Sequence, residues 1–363
     1  MIICYIKISL NIRIIPEREK MKKPITYAMY NLDNKIVENS SSGAIFYLLA
    51  QSVLNDEGVV YGVKMTEDFY GAEFERIAHI NELYKILGSK YLQANIGDTY
   101  KCVKKDLIKG LTVLFSGTGC QINGLKLFLG REYYNLICVD VICHGVPSPT
   151  LWETYVKFQE KKYGGKVTNI NFRCKDQYKF FPFFKKEKNI YIPNGEDPYM
   201  RMFIKNYSLR PSCYSCKAKN KKMSDITLGD FWGIENIVPS MDNKKGCSLV
   251  IVRTDKGEIL IEKINKNTRY QEVSYEKSIQ YNKSEFESSV FPSEREKFFR
   301  DMIKMNFKEL RDTYLKDSLK IILKSFNRKI KYIFYFFMHL LIKKKDIFKM
   351  GNYGYLINFT IKR

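Results

Sequence analysis

Leu111-Thr112-Val113-Leu114-Phe115-Ser116-Gly117-Thr118-Gly119-Cys120-Gln121, with Leu136-Ile137-Cys138-Val139-Asp140-Val141-Ile142-Cys143-His144-Gly145-Val146-Pro147 further along, is the stretch that decides the fold. Each half opens on an apolar run of strand length and breaks at a glycine-bearing turn. Each then enters a helical pattern, around Ile122 to Leu129 in the first case. In the second, Ser148-Pro149 opens the helix, with proline suited to the first helical position. Strand, turn and helix thus occur twice within residues 111–175, and this alternation predicts an α/β architecture. In such sheets the ligand crevice lies outside the carboxyl ends of the strands. Cys120 and Cys143 both fall at such ends.

Working outward, residues 24–110 read as a further α/β region. Ser40-Ser41-Ser42-Gly43 leads into Ala44 to Leu54, where Ile45, Leu48, Leu49 and Val53 mark one face at helical spacing. A serine there is expected to cap the helix. Gly58 to Gly62 reads as a short buried strand, and Gly88-Ser89-Lys90-Tyr91-Leu92-Gln93 as a polar, glycine-led segment. Alternation over 167–172 predicts a strand, and 225–233 and 247–254 predict two more. Residues 176–224 read as an irregular insertion bearing Cys213 and Cys216, rich in Tyr, Phe and basic residues and able to lie over a site. From about 294 the pattern is helical and increasingly basic. The expected fold is therefore α/β: a mixed sheet core with flanking helices, the irregular cysteine-bearing insertion, and a helical basic C-terminal tail. The expected boundaries are a poorly defined extension at 1–23, a domain over 24–310 (parts 24–110 and 111–310) and the tail at 311–363. Residues 1–23 resemble neither a signal peptide nor a membrane span, and Met21 is an alternative start.

The formal charge of +22 is shared unevenly: residues 316–363 hold 12 Lys/Arg against two Asp. The remainder mixes lysines with acids, and no nucleic-acid motif is present, so nucleic acid is not the expected partner. Tyr332 to Ile342 is an apolar, aromatic run between lysines, too short to cross a bilayer. It is instead compatible with weak contact of 326–349 with an anionic membrane surface. The expected location is cytoplasmic, at most peripheral to the inner membrane face.

Of nine cysteines, four have purposeful settings: Cys120, Cys143 and the Cys-x-x-Cys pair Cys213/Cys216. Two thiols at strand ends plus a chelating pair suit a four-thiolate metal site, for which iron–sulfur clusters and zinc are the usual occupants. Cys4, Cys102, Cys138, Cys174 and Cys247 read as buried or incidental thiols. Cys120 heads a predicted helix, whose partial positive charge favours thiolate. It therefore also suits a nucleophile with His144 as base, although that chemistry needs no second strand-end cysteine and no Cys-x-x-Cys. Ser40 to Gly43 and Gly88 to Gln93 could offer backbone N–H groups and Lys90 to phosphates. Neither a G-x-G-x-x-G nor a Walker sequence is present.

Taken in order, Ser40–Gly43, Gly88–Gln93, Phe115–Leu125, Asp140–Pro149, Asn171-Phe172-Arg173, Leu209–Cys216 and Asp225–Gly233 resemble the beta-subunit family of coenzyme F420 hydrogenases and dehydrogenases, over roughly 24–310. The resemblance implies an oxidoreductase carrying FAD beside a [4Fe–4S] cluster, with coenzyme F420 as a candidate substrate. It implies cluster ligation by Cys120, Cys143, Cys213 and Cys216. It places flavin contacts at Ser40, Ser41, Ser42 and Gly43, at Ser89, Lys90, Tyr91 and Gln93, and at Gly117, Thr118 and His144. Bacterial relatives commonly begin with a ferredoxin-like portion carrying Cys-x-x-Cys-x-x-Cys runs, which this sequence lacks. A redox partner protein or separate ferredoxin module is therefore expected. The rival expectation is a truncated or degenerate member with a non-catalytic, partner-binding role. Gly119, Ala44, Cys174 and Met223 stand where the family usually has proline, glycine, an acid and arginine.

Overall fold

The protein is described by a computed structural model covering residues 24–173, 183–186, 188–192 and 195–315. Among the described residues there are eleven strands: β1 (Ile25–Asn31), β2 (Val59–Met65), β3 (Ala72–Ile77), β4 (Ala94–Asn95), β5 (Val113–Thr118), β6 (Leu136–Val141), β7 (Phe183–Lys186), β8 (Lys188–Tyr191), β9 (Ile226–Asp230), β10 (Ser248–Val252) and β11 (Thr268–Glu272). Nine of them form one mixed sheet in the order β11-β1-β10-β9-β6-β5-β2-β3-β4, and β7 and β8 pair as a separate hairpin. The centre, β9-β6-β5-β2, is parallel. Antiparallel pairings with β10 on one side and β3 on the other make the sheet mixed.

The central strands are apolar on both sides because both faces are covered. From β5, Leu114 joins a core with Val139, Ile226 and Val250 beneath the helices Ile45–Asn55 and Asp255–Ile264. Its neighbours Val113 and Phe115 point the other way, to a core with Cys138, Leu107 and Leu125 under the helices Thr99–Ile108 and Gly119–Leu129. The two period-two sets therefore supply two layers of core. Asp225, fully buried, ties β6 to the following strands. Its Oδ2 accepts from the Cys138 N–H at 2.7 Å and its Oδ1 from the Thr254 hydroxyl at 2.7 Å.

Two local expectations are corrected. Residues 167–172 are not a strand, since Phe172 is drawn into an aromatic cluster with Trp152 (5.1 Å between centroids) and Tyr91 (5.6 Å). The next residue turns under an Asx contact from the Asn171 side chain to the Arg173 N–H. The helix Ile45–Asn55 is not capped by a serine either. Its N-cap is Ala44 in the left-handed region at φ 64°, with no side-chain cap. Gly43 precedes it because a Cβ there would lie 2.5 Å from the Met29 carbonyl oxygen.

Towards the C-terminus, Arg295–Lys304 and Phe307–Tyr314 are helical, with Phe307 packed on Tyr155 and Phe158 of the helix Pro149–Tyr163. No helix of the described residues is long and apolar enough to cross a membrane. Residues 1–23, Cys4, Cys174 and the basic segment 326–349 lie outside the described residues.

Candidate functional site

β5 and β6 are adjacent and parallel, with Thr118 in register with Val141, so the turns that follow them emerge at the same sheet edge. Cys120 occupies the first turn of the helix Gly119–Leu129, and Cys143 the loop just past β6. The irregular segment is brought to them by backbone pairing. An isolated bridge joins Pro147 to Leu209, and the N–H groups of Ser148 and Arg210 donate to the carbonyls of Ser208 and Val146. Gly145 eases this approach, since a Cβ there would lie 2.7 Å from Leu209 Cδ1 and push that side chain aside. Cys213 then sits in the one-turn helix Pro211–Ser215, and Cys216 caps the short helix Lys217–Asn220.

All four cysteines consequently line one pocket, together with Thr118, His144 and two lysines, Lys219 and Lys222. It is partly open to solvent, and Cys120 is exposed. Burial pushes the Cys143 thiol up to about 12, and the thiols of Cys120 and Cys213 add to the effect. Burial also raises Cys213. Thiols so placed resist ionising together unless a cation joins them, and a metal centre is such a cation. The donor set therefore fits one. Among the described residues, however, no group of three or more His, Cys, Asp or Glu side chains is gathered tightly enough to hold a single metal ion.

The surroundings are polar and tied together. The Thr118 hydroxyl lies 3.2 Å from Cys120 Sγ, and the Gln121 side chain accepts from the Thr118 N–H at 2.9 Å. A Cβ on Gly117 would lie 2.9 Å from the same Gln121 oxygen. Lys219 Nζ donates to the carbonyls of Cys143 (2.8 Å) and Ser284 (2.5 Å). Burial pulls its ammonium down while the thiols of Cys143 and Cys216 raise it. Lys222 bridges Asp140 (3.3 Å) and Glu285 (3.1 Å), both fully buried, and Arg253 closes on the other Glu285 oxygen. His144 faces Asn206 Oδ1 through Nε2 at 2.6 Å and packs edge-on against Phe203. Burial lowers its pKa.

The two serine and glycine segments expected at the flavin come together as well. Ser41 Oγ accepts from the Ser89 N–H and lies 2.9 Å from its hydroxyl. Their neighbours serve the scaffold: Ser40 bonds the Ile36 carbonyl, Ser42 the Cys247 carbonyl, and the Gly43 N–H the Ser248 hydroxyl. Lys90 Nζ reaches the carbonyls of Leu87 and Gly88, and burial pulls it down to about 7. Gln93 is half-buried just ahead of β4. Tyr91 packs at 5.7 Å, tilted, against Phe203, which also meets His144, so the segment adjoins the Cys143 turn.

Residues 110–278 match the family described as the C terminus of the coenzyme F420 hydrogenase/dehydrogenase beta subunit. Over that span, a little under half of its length, the chain is similar to this family. A solved structure, the xenon-derivatised F420-reducing [NiFe] hydrogenase complex from Methanosarcina barkeri, contains a similar chain. The two are 15% identical at a TM-score of 0.49, over 81% of this chain and 91% of that one. None of the curated proteins matches.

All four pocket cysteines lie inside the span matched to the F420 hydrogenase/dehydrogenase beta-subunit family, as do Thr118, His144, Lys219 and Lys222. Sequence reading passed over Lys219, Lys222, Asn206 and Ser284, whose contacts depend on tertiary placement. One signal was available for Lys219: it follows Cys216 by a single helical turn, its N–H bonding the Cys216 carbonyl.

Proposed function

We propose that this chain is the flavin- and cluster-bearing subunit of an oxidoreductase of the F420 hydrogenase/dehydrogenase type. Cys120, Cys143, Cys213 and Cys216 would hold a [4Fe–4S] cluster. FAD would lie beside it, along Ser41, Ser89, Lys90, Tyr91 and the Gly117-Thr118 turn. The observation that carries the reading is the convergence of three distant segments to put four cysteines around one pocket. A cluster spreads its four thiolates more widely than a lone tetrahedral ion, whose sulfurs would sit about 4 Å apart at Zn–S distances of about 2.3 Å. One chelating pair with two strand-end cysteines, in place of the two chelating pairs usual for structural zinc, supports the cluster over zinc.

When bound, the flavin exchanges a hydride or two electrons with a donor, coenzyme F420 being the candidate, and the cluster carries electrons singly. The residues of this chain hold and shape the site. The Ser41–Ser89 link fixes two polar segments against each other, and Phe203 packs against both Tyr91 and His144. Asn206 sets the His144 ring. The exposure of Cys120 leaves one side of the pocket open to a redox partner or ferredoxin module.

Anaerobic purification, with iron, sulfide and flavin measured per chain, tests the reading, followed by reduction with F420 and other two-electron donors. Iron, sulfide and flavin together support it. A protein that folds but takes up none of the three after reconstitution would instead be a non-catalytic subunit. Residues 326–349 are proposed as a weak membrane contact on sequence grounds. Flotation with anionic vesicles, comparing the whole chain with one ending at Leu315, tests that: equal recovery excludes the tail.

A further inference from the structure

Two lysines line the cysteine pocket, and their electrostatic situations differ. Lys222 lies between Asp140 and Glu285, with Arg253 on the second oxygen of Glu285. Two acids and two bases then cancel, so this buried group adds little net field at the pocket. Lys219 has no such balance. Its ammonium is held by two neutral carbonyls, those of Cys143 and Ser284, and among the described residues no carboxylate pairs with it. The side chain leaves the helix one turn after Cys216 and ends on the backbone of Cys143, so it spans two of the thiol-bearing segments. The third strand of this clamp is the 284–289 segment, where Ser288 accepts from the Cys216 N–H at 2.9 Å and the Ser289 hydroxyl bonds the His144 carbonyl.

A half-buried cation in a pocket lined by four thiols, with no carboxylate in ion-pair contact among the described residues, is costly unless something anionic completes it. We infer that Lys219 is the built-in counter-charge of the group held by the four cysteines, raising its reduction potential and favouring its assembly. This rests on the cluster reading above. Four thiolates around a [4Fe–4S] core carry net negative charge, and gaining an electron makes it more so. A fixed positive charge at the pocket wall therefore favours the reduced form. Because the site is partly desolvated, screening by solvent is incomplete.

The test compares the whole chain with Lys219→Gln, which keeps hydrogen-bond donors for the two carbonyls but removes the charge, and with Lys219→Arg, which keeps the charge. The readouts are iron and sulfide per chain, and the midpoint potential from an anaerobic titration followed by electron paramagnetic resonance. Lys219→Gln should shift the midpoint negative enough to lower the reduced-to-oxidised ratio at the wild-type midpoint roughly tenfold, about 59 mV for a one-electron couple. Lys219→Arg should stay near wild type. A Gln variant that folds without a cluster, with Arg restoring it, supports the same assignment. An unchanged midpoint in Lys219→Gln overturns it, as does equal loss of cluster in both variants, or failure of the Gln chain alone to fold without metal. If the wild-type chain binds no iron, the cluster reading itself has failed, which iron analysis shows before any variant is compared.

Discussion

The hydroxyl oxygen of Ser41 accepts the backbone N–H of Ser89 at 2.8 Å and lies 2.9 Å from its side-chain oxygen. One serine from the turn before the helix Ile45–Asn55 thereby fixes the conformation of the Gly88–Gln93 segment, a loop far along the chain. Ser41→Ala removes both contacts and leaves a half-buried N–H to find water. The expected cost is about 1 kcal/mol of stability, read as a lowered thermal midpoint. Flavin retained after gel filtration should fall by a larger factor than in Ser40→Ala, whose hydroxyl serves only the Ile36 carbonyl. Equal retention in the two variants would detach this link from the flavin.

Lys90 offers a pH-dependent readout. Burial depresses its amine to about 7, against about 10.4 for a free lysine. A depressed lysine stabilises the fold most above its unfolded value, and that contribution is lost as pH falls towards 7. Lys90→Met should accordingly stabilise the chain relative to wild type below about pH 7. Competitive acylation with mass spectrometry should show Lys90 reacting half-maximally near neutral pH, and at higher pH once FAD or pyrophosphate is added. A titration near the ordinary lysine value in the protein without such an anion would contradict the account.

Asp197 reports on the aromatic cluster behind the site. Burial raises its carboxyl to about 6, although Tyr155 and the Met200 N–H donate to it. For an acid with a raised folded-state pKa, the stabilising contribution is complete below the unfolded value near 3.9 and is lost as pH rises through about 6. Asp197→Asn should keep the cap on the helix Pro198–Ile204 and remove this dependence. The stability difference between variant and wild type should move in favour of the variant by roughly 2–3 kcal/mol between pH 4 and pH 7. Denaturant titrations at those two pH values measure it, and a difference independent of pH would contradict the assignment.

Much of this arrangement was legible in the residues. The paired strand, glycine turn and helix units around Cys120 and Cys143 are visible because central parallel strands are apolar throughout and their turns require glycine. The helix over 45–55 declared itself by the spacing of Ile45, Leu48, Leu49 and Val53, all buried. Other features depended on partners far away. Phe172 continues a strand-like alternation, yet burial against Trp152 and Tyr91 outweighs it. The serines at 40–42 suggested a helix cap, but they are spent on Ile36, Ser89 and Cys247. That Lys222 is neutralised and Lys219 is not follows only from where Asp140 and Glu285 fold to.

The most direct test of the account is a count of iron and acid-labile sulfide per chain after anaerobic reconstitution. It should be made for wild type, for the single Cys→Ser variants at 120, 143, 213 and 216, and for Cys247→Ser as a control in the core. The account predicts about four of each per wild-type chain, a marked loss in each of the four variants, and a wild-type count in Cys247→Ser. Zinc in place of iron, or a loss as large in Cys247→Ser as in Cys120→Ser, would contradict it.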